Sequence, residues 1–297
     1  MELWIVATIA AAAVQTLRFS LQKRLKAAGL STGGATFSRF VFAAPIAIAA
    51  ATVMIAATGQ GMPALGPRFW AYACAGGLAQ IIATFCTVAL FSERSFATGI
   101  AFTKTETVQV ALFSALVLAE PVTPAGLAAI LLGFVGVLLL SHQWGQGRMA
   151  FANRATALGL LAGGFFAASS IGYRGATLEI ARDDAFLRAL LALACVTSFQ
   201  TLAMIGWLSW REPGQIGRVL GAWRTAALVG VTGLAGSFGW FVAFSLMNAA
   251  YVRSLGQIEL LFSLTVSILV FGERPRRAEL AGMALLVLSI LMIVQLA

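Results

Sequence analysis

The chain has 297 residues, of which 60% are hydrophobic and only 10% charged, and its formal net charge is +9. A soluble domain carries about 25% charged residues, so a water-soluble globule is excluded. The basic residues sit mostly in short segments between apolar runs, where they set membrane topology, so the positive balance does not indicate a nucleic-acid partner.

A membrane span needs roughly 20 apolar residues, and about ten runs meet that criterion. They lie near 3–21, 36–57, 70–90, 97–119, 124–141, 155–173, 186–208, 225–246, 249–271 and 279–296. The chain opens Met1-Glu2 with no basic leader, and Lys23, Arg24 and Lys26 follow the first run. That pattern predicts an uncleaved first span. Breakers fall at Gly29–Gly34, Gly59–Pro67, Pro121–Pro124, Gly145–Arg154 and Glu212–Gly217. Cys74, Cys86 and Cys195 lie inside apolar runs with neither metal nor disulfide spacing, and read as packed thiols.

The chain repeats itself without a gap at an offset of 153 positions. Glu106 falls on Glu259, Ser114 on Ser267, Glu120 on Glu273, Ala125 on Ala278 and Leu132 on Leu285. The expected organisation is all-α: a first five-helix repeat over 1–144, a linker over 145–154 and a second repeat over 155–297. Five is odd, so the second half inserts upside down, giving an inverted repeat with a site between the halves. With the N-terminus inside, about five basic residues face the cytoplasm and about twelve face out. The positive-inside rule therefore places both termini outside.

Most polar residues sit at span ends. Glu106 and Glu259 do not: each is roughly 13–15 Å deep, near the bilayer midplane. A carboxylate there must face a cavity, find a partner or take up a proton. Lys104 and Gln257 precede them by two positions, about 200° around a helix, and Lys104 is long enough to snorkel to the interface. Gln15, Arg18 and Gln22 form a polar stripe on the first span, with Gln15 read as path-facing and the other two as interfacial. Gln80 and Thr84 form an i, i+4 pair in the third. The eighth span has Gly230, Gly233, Gly236 and Gly239, read as close packing, then Trp240 and Phe244 as cavity walls or core. Arg39 reads as an anchor, and Gln200 has no visible partner. Gly126, Gly133, Gly136, Gly282 and Ser289 make the fifth and tenth spans an outer scaffold or a homodimer contact.

The candidate substrate-binding set is thus Gln15, Gln80, Thr84, Glu106, Trp240, Phe244, Tyr251, Gln257 and Glu259. Glu259 and Glu106 are the proton-coupling candidates, and Glu259 is favoured because Gln257, Tyr251 and Trp240 lie in its half. Glu106, close to Lys104 in sequence, reads as a structural partner. No phosphate-binding loop, HExxH or assembled Ser/His/Asp set is present, so no enzyme, metal or cofactor is expected.

Two stretches carry a family resemblance. One runs from Lys104-Thr105-Glu106-Thr107 to Leu118-Ala119-Glu120, the other from Leu255-Gly256-Gln257-Ile258-Glu259-Leu260 to Phe271-Gly272-Glu273-Arg274. They resemble the EamA-type branch of the drug/metabolite transporter superfamily, with its mid-span Glu-Pro position and span-ending Leu-Gly-Glu. Thr107 and Leu260 stand where that pattern has proline, and Ala119 where it has glycine. The resemblance implies two inverted five-helix repeats around a central cavity, with the fifth and tenth helices outside. It implies a multi-pass protein of the bacterial inner membrane, an exporter of small metabolites such as amino acids or their derivatives. Relatives are drawn with both termini in the cytoplasm, against the charge count. A lipid-handling or accessory membrane protein is the alternative.

Overall fold

The computed structural model describes residues 2–59, 61–90, 102–141, 154–262 and 277–296. Among the described residues there are twelve helices and no strand. They are α1 (Leu3–Ala27), α2 (Thr32–Val41), α3 (Ala43–Thr58), α4 (Pro67–Leu90), α5 (Glu106–Val117), α6 (Pro124–Ser141), α7 (Arg154–Leu178), α8 (Ala185–Arg211), α9 (Gln215–Gly221), α10 (Trp223–Leu246), α11 (Ala249–Leu255) and α12 (Arg277–Leu296). Six stretches are long and apolar enough to cross a membrane: α1, α2 with α3, α4, α7, α8 and α10. Shorter apolar helices in α5, α6 and α12 accompany them. The protein is an integral, multi-pass membrane protein. Most of the expected linker, the 91–101 segment, and Ser267, Gly272 and Glu273 lie outside the described residues.

The 153-residue offset maps helix onto helix. Thr32–Thr58 corresponds to Ala185–Arg211, and α6 begins at Pro124 as α12 begins at Arg277. The caps correspond as well. Ser31 accepts Gly34 N–H at 2.9 Å, and Asp184, at the equivalent place, accepts Phe186 N–H at 2.8 Å. An N-cap oxygen satisfies amides that have no helical acceptor. This cap starts the second span at Thr32, earlier than hydropathy suggests, so Gly33 and Gly34 lie inside the helix rather than in a breaker. A Cβ on Gly33 would come within 2.6 Å of the Trp207 ring, so glycine there lets α2 lie close against α8. The one interruption of that span has a cause in the sequence. Pro45 has no N–H to offer the Val41 carbonyl, and α2 gives way to α3 at Phe42. Ser198 stands at the equivalent place in α8, which runs unbroken. The expected breaker at Glu212–Gly217 contains the start of α9.

Packing is reciprocal under the same offset. α1 lies along α10, and its counterpart α7 lies along α4. α3 packs on α8, α5 on α11, and α6 on α12. α1 and α10 run antiparallel, since Gly239 faces Ala7 whereas Gly233 faces Arg18. The glycines of α10 are used in packing: a Cβ on Gly239 would meet the Ala7 carbonyl at 2.9 Å, and one on Gly230 would meet Phe42 Cβ at 2.5 Å. Small residues also close the α6–α12 contact. A Cβ on Gly136 would lie 2.8 Å from the Gly282 carbonyl, and one on Gly133 would lie 2.5 Å from Ser289 Oγ. That surface, read from sequence as scaffold or dimer contact, is occupied within the chain.

Candidate functional site

Within the stretches expected as the fourth and ninth spans, the described helix is broken just before each glutamate. Helical turns at Phe102–Thr103 give way to a turn at Lys104–Thr105, and α5 starts at Glu106. α11 ends at Leu255, a turn occupies Gly256–Gln257, and helix resumes at Ile258. Backbone bonds tighten there to a three-residue reach: Glu259 N–H donates to the Gly256 carbonyl at 3.2 Å and Leu260 N–H to that of Gln257 at 3.0 Å. Neither break needs proline, so Thr107 and Leu260 do not prevent the discontinuity. Irregular backbone at membrane depth persists only where protein or a cavity surrounds it. Here two glycines give it room. A Cβ on Gly163 of α7 would strike the Thr103 carbonyl at 2.9 Å, and one on Gly256 would strike the Trp240 ring at 2.5 Å.

Between the two breaks and α1 lies a cavity of about 260 Å³. Gln15, Thr16, Phe19, Ser20 and Lys23 line it from α1, Lys104 and Glu106 from the first break, and Gln257 and Glu259 from the second. Phe166, Trp240 and Arg253 complete its wall. Its charges cross between the halves. Lys104 Nζ pairs with Glu259 Oε1, and Arg253 Nη2 with Glu106 Oε1. Gln15 Nε2 donates to the other Glu259 oxygen at 3.0 Å, and Trp240 Nε1 donates to Gln15 Oε1 at 3.3 Å. The Arg253 guanidinium stands 4.6 Å over the Trp240 ring, a favourable cation–π geometry.

Five of the nine sequence-predicted residues therefore meet at this cavity: Gln15, Glu106, Trp240, Gln257 and Glu259. The other four are placed elsewhere. Gln80 Oε1 accepts from Ser169 Oγ at 2.7 Å, and Thr84 Oγ1 accepts from Arg39 Nη1 at 3.0 Å. Phe244 stacks behind Trp240 at 6.1 Å between ring centroids. Tyr251 Oη lies 3.3 Å from the Thr123 amide nitrogen.

Other expectations are corrected. Lys104 does not snorkel; it is buried and joins the opposite half. Arg18 and Gln22 are not interfacial: both are buried, and Arg18 Nη1 donates to Gln22 Oε1 at 2.8 Å. Gln200 has partners, the Gly77 carbonyl at 3.0 Å and Tyr173 Oη at 3.1 Å. Arg253 and Arg174 lie on helices α11 and α7 and not in loops. Arg253 escaped notice because its role depends on a helix break that no proline marks. Phe166 carried no signal beyond hydrophobicity.

A second network lies away from the cavity. Arg174 forks onto Glu120 with two bonds of 2.6 Å, and its Nη1 donates to the Phe244 carbonyl at 2.6 Å. Asn248 Nδ2 donates to the Glu120 carbonyl at 3.0 Å. Because α10 is antiparallel to α1, this knot sits toward the start of α1, whereas the cavity reaches Lys23 near its end.

A broken-helix cavity between two packed halves of membrane helices is the architecture of a membrane transporter. Residues 154–295 match the family model of the EamA-like transporter family. Over that stretch the chain is similar to a family within the drug/metabolite transporter superfamily, whose members carry small molecules across membranes. One solved structure, described only as "Crystal structure of protein", is similar to the whole chain, with a TM-score of 0.65 and 17% identity, covering 98% of this chain and 99% of that one. At that identity the likeness is one of fold. No match was found among curated proteins.

Proposed function

We propose that the protein is a secondary carrier of small polar or amphipathic metabolites, amino acids or their derivatives among them. It has ten spans in two inverted five-helix repeats, 1–144 and 155–297, joined by 145–154. The single observation that carries this reading is the crossing of ion pairs at a cavity between the halves. Reciprocal packing supports the inverted repeat. In this reading Gln15, Glu106, Trp240, Gln257 and Glu259 contact the cargo. Gln80, Thr84, Phe244 and Tyr251 support the helices that present them.

Alternating access requires one end open and the other shut. The path along Ser20 and Lys23 is the open end, and the Arg174–Glu120 knot is the closed gate. The open end is also the basic one, with Lys23, Arg24 and Lys26 near the end of α1 and Arg154, Arg211, Arg218, Arg224 and Arg277 at or near neighbouring helix ends. The positive-inside rule makes that end cytoplasmic, so cargo enters from the bacterial cytoplasm and the carrier exports. Glu259 remains the proton-exchange candidate, but only after Lys104 is drawn away from it.

The lipid-handling alternative requires a charged lateral groove. The lipid-side groove between α3 and α8, lined by Ile48, Trp70 and Leu202, has no ionisable side chain other than Cys195. It offers no acidic or basic side chain to a headgroup, which favours the metabolite carrier. Proteoliposomes loaded with a metabolite panel test the proposal. Counterflow without ATP is expected, and transport appearing only with an added ATPase contradicts it.

A further inference from the structure

The interior beside the cavity holds more positive charge than its carboxylates neutralise. Lys104 and Arg253 each have a glutamate. Among the described residues, no carboxylate pairs with Arg18 or Arg39. Arg18 is 2% exposed and Arg39 6%. Arg18 Nη2 is buried without any partner. Among the described residues Arg39 donates to two hydroxyls, Thr84 Oγ1 at 3.0 Å and Ser237 Oγ at 3.3 Å. A guanidinium keeps its proton in proteins, so both charges persist.

The two arginines are neighbours. A Cβ on Gly233 would lie 3.2 Å from Arg39 Cγ and 3.5 Å from Arg18 Cδ. Arg18 also covers the Phe19 ring at 4.3 Å, and Phe19 is a wall of the cavity. Arg253 and Glu259 are within its electrostatic reach. Lys23, Lys104 and Arg253 in the cavity wall and Arg18 and Arg39 behind it thus make five cations around two carboxylates that are already engaged. Buried charge of one sign is costly until the opposite sign approaches. Two further groups, on residues of the cavity wall, are buried without a partner among the described residues: Arg253 Nε, a donor, and Gln257 Oε1, an acceptor.

We infer that the cavity takes a small organic anion that also carries at least one O–H or N–H donor. This rests on the reading of the cavity as the substrate site. The anionic group is drawn by the field of Arg18 and Arg39 and received by Arg253 Nε. The donor satisfies Gln257 Oε1, and an apolar body lies against Phe19 and Phe166.

Three probes of one shape test the inference on the full-length protein in lipid nanodiscs: para-hydroxybenzoate, para-hydroxybenzamide and para-hydroxybenzylamine, read by calorimetry at neutral pH. The anion is expected to bind at least tenfold more tightly than the amide or the amine. Arg18→Gln should erase most of that preference, whereas Arg18→Lys, which keeps the charge, should retain it. Arg39→Gln should act like Arg18→Gln; should it not fold, the two Arg18 variants decide. Equal or tighter binding of the amide or amine, no binding of the anion at millimolar concentration, or an unchanged preference in folded Arg18→Gln overturns the inference. Binding is read without flux, so anion preference combined with no transport in proteoliposomes contradicts the carrier reading alone.

Discussion

Lys104 and Glu259 come from opposite halves of the chain and meet as a buried ion pair. Arg253 and Glu106 repeat the arrangement with the halves exchanged. Lys104 and Glu106 are too close in sequence to share a helix face, and the turn at Lys104–Thr105 sends one to each partner. Any motion that parts the halves at the cavity must strip both pairs or replace them with a ligand.

Removing one member of a buried pair strands the other. Glu259→Gln leaves Lys104 with a side chain only 10% exposed, which should cost about 3–5 kcal/mol. Glu106→Gln strands Arg253 in the same way. Stability is therefore affected by both substitutions, not by Glu106→Gln alone as the sequence suggests. The double variant Lys104→Gln/Glu259→Gln should recover much of the loss. Thermal unfolding in detergent measures this, and a double variant as unstable as the sum of its singles would contradict it.

Ala119 adopts φ +54, a left-handed conformation, just before Glu120. An L-residue with a Cβ costs roughly 1–2 kcal/mol there, and the resembling family pattern has glycine at this place. Ala119→Gly should stabilise the protein by about 1 kcal/mol. A lowered melting temperature would show that the strain is absent.

The α6–α12 contact should be intolerant of a single methyl group. Gly136→Ala brings a Cβ within 2.8 Å of the Gly282 carbonyl and 3.0 Å of Leu286 N, both backbone atoms that cannot swing aside. A loss of about 1–3 kcal/mol is expected. Gly206 on α8 has open space around it, so Gly206→Ala should gain up to about 1 kcal/mol. Equal effects of the two substitutions would refute the interlock.

The proposed orientation rests on charge. With Arg174 and Arg253 inside helices, the end opposite the basic one has fewer loop cations than the sequence count gives it. Arg24→Cys should resist an impermeant thiol reagent applied to intact cells and react once the membrane is opened. Labelling in intact cells would reverse the assignment.

The helices were largely legible because their signals are local: apolar length, the caps Ser31 and Asp184, and the offset that maps one half on the other. The two central glutamates were legible because carboxylates at that depth are rare. Their partners were not. Hydropathy reads 97–119 and 249–271 as continuous spans, and only the breaks at Lys104–Thr105 and Gly256–Gln257 turn Lys104 and Arg253 across the interface. Arg18 and Arg39 looked interfacial because sequence distance from a loop does not reveal which neighbouring helices bury a side chain.

The crossed pairs at this cavity are expected to carry transport. The direct measurement is counterflow in ATP-free proteoliposomes with a panel of radiolabelled amino acids and small organic acids. The species moved by the unaltered protein then serves as reporter for the Lys104→Gln/Glu259→Gln protein. That variant should fold, hold a melting temperature close to the unaltered protein's and lose at least about tenfold in rate, equivalent to roughly 1.4 kcal/mol. Full-rate transport of the same species by the folded double variant would contradict the account.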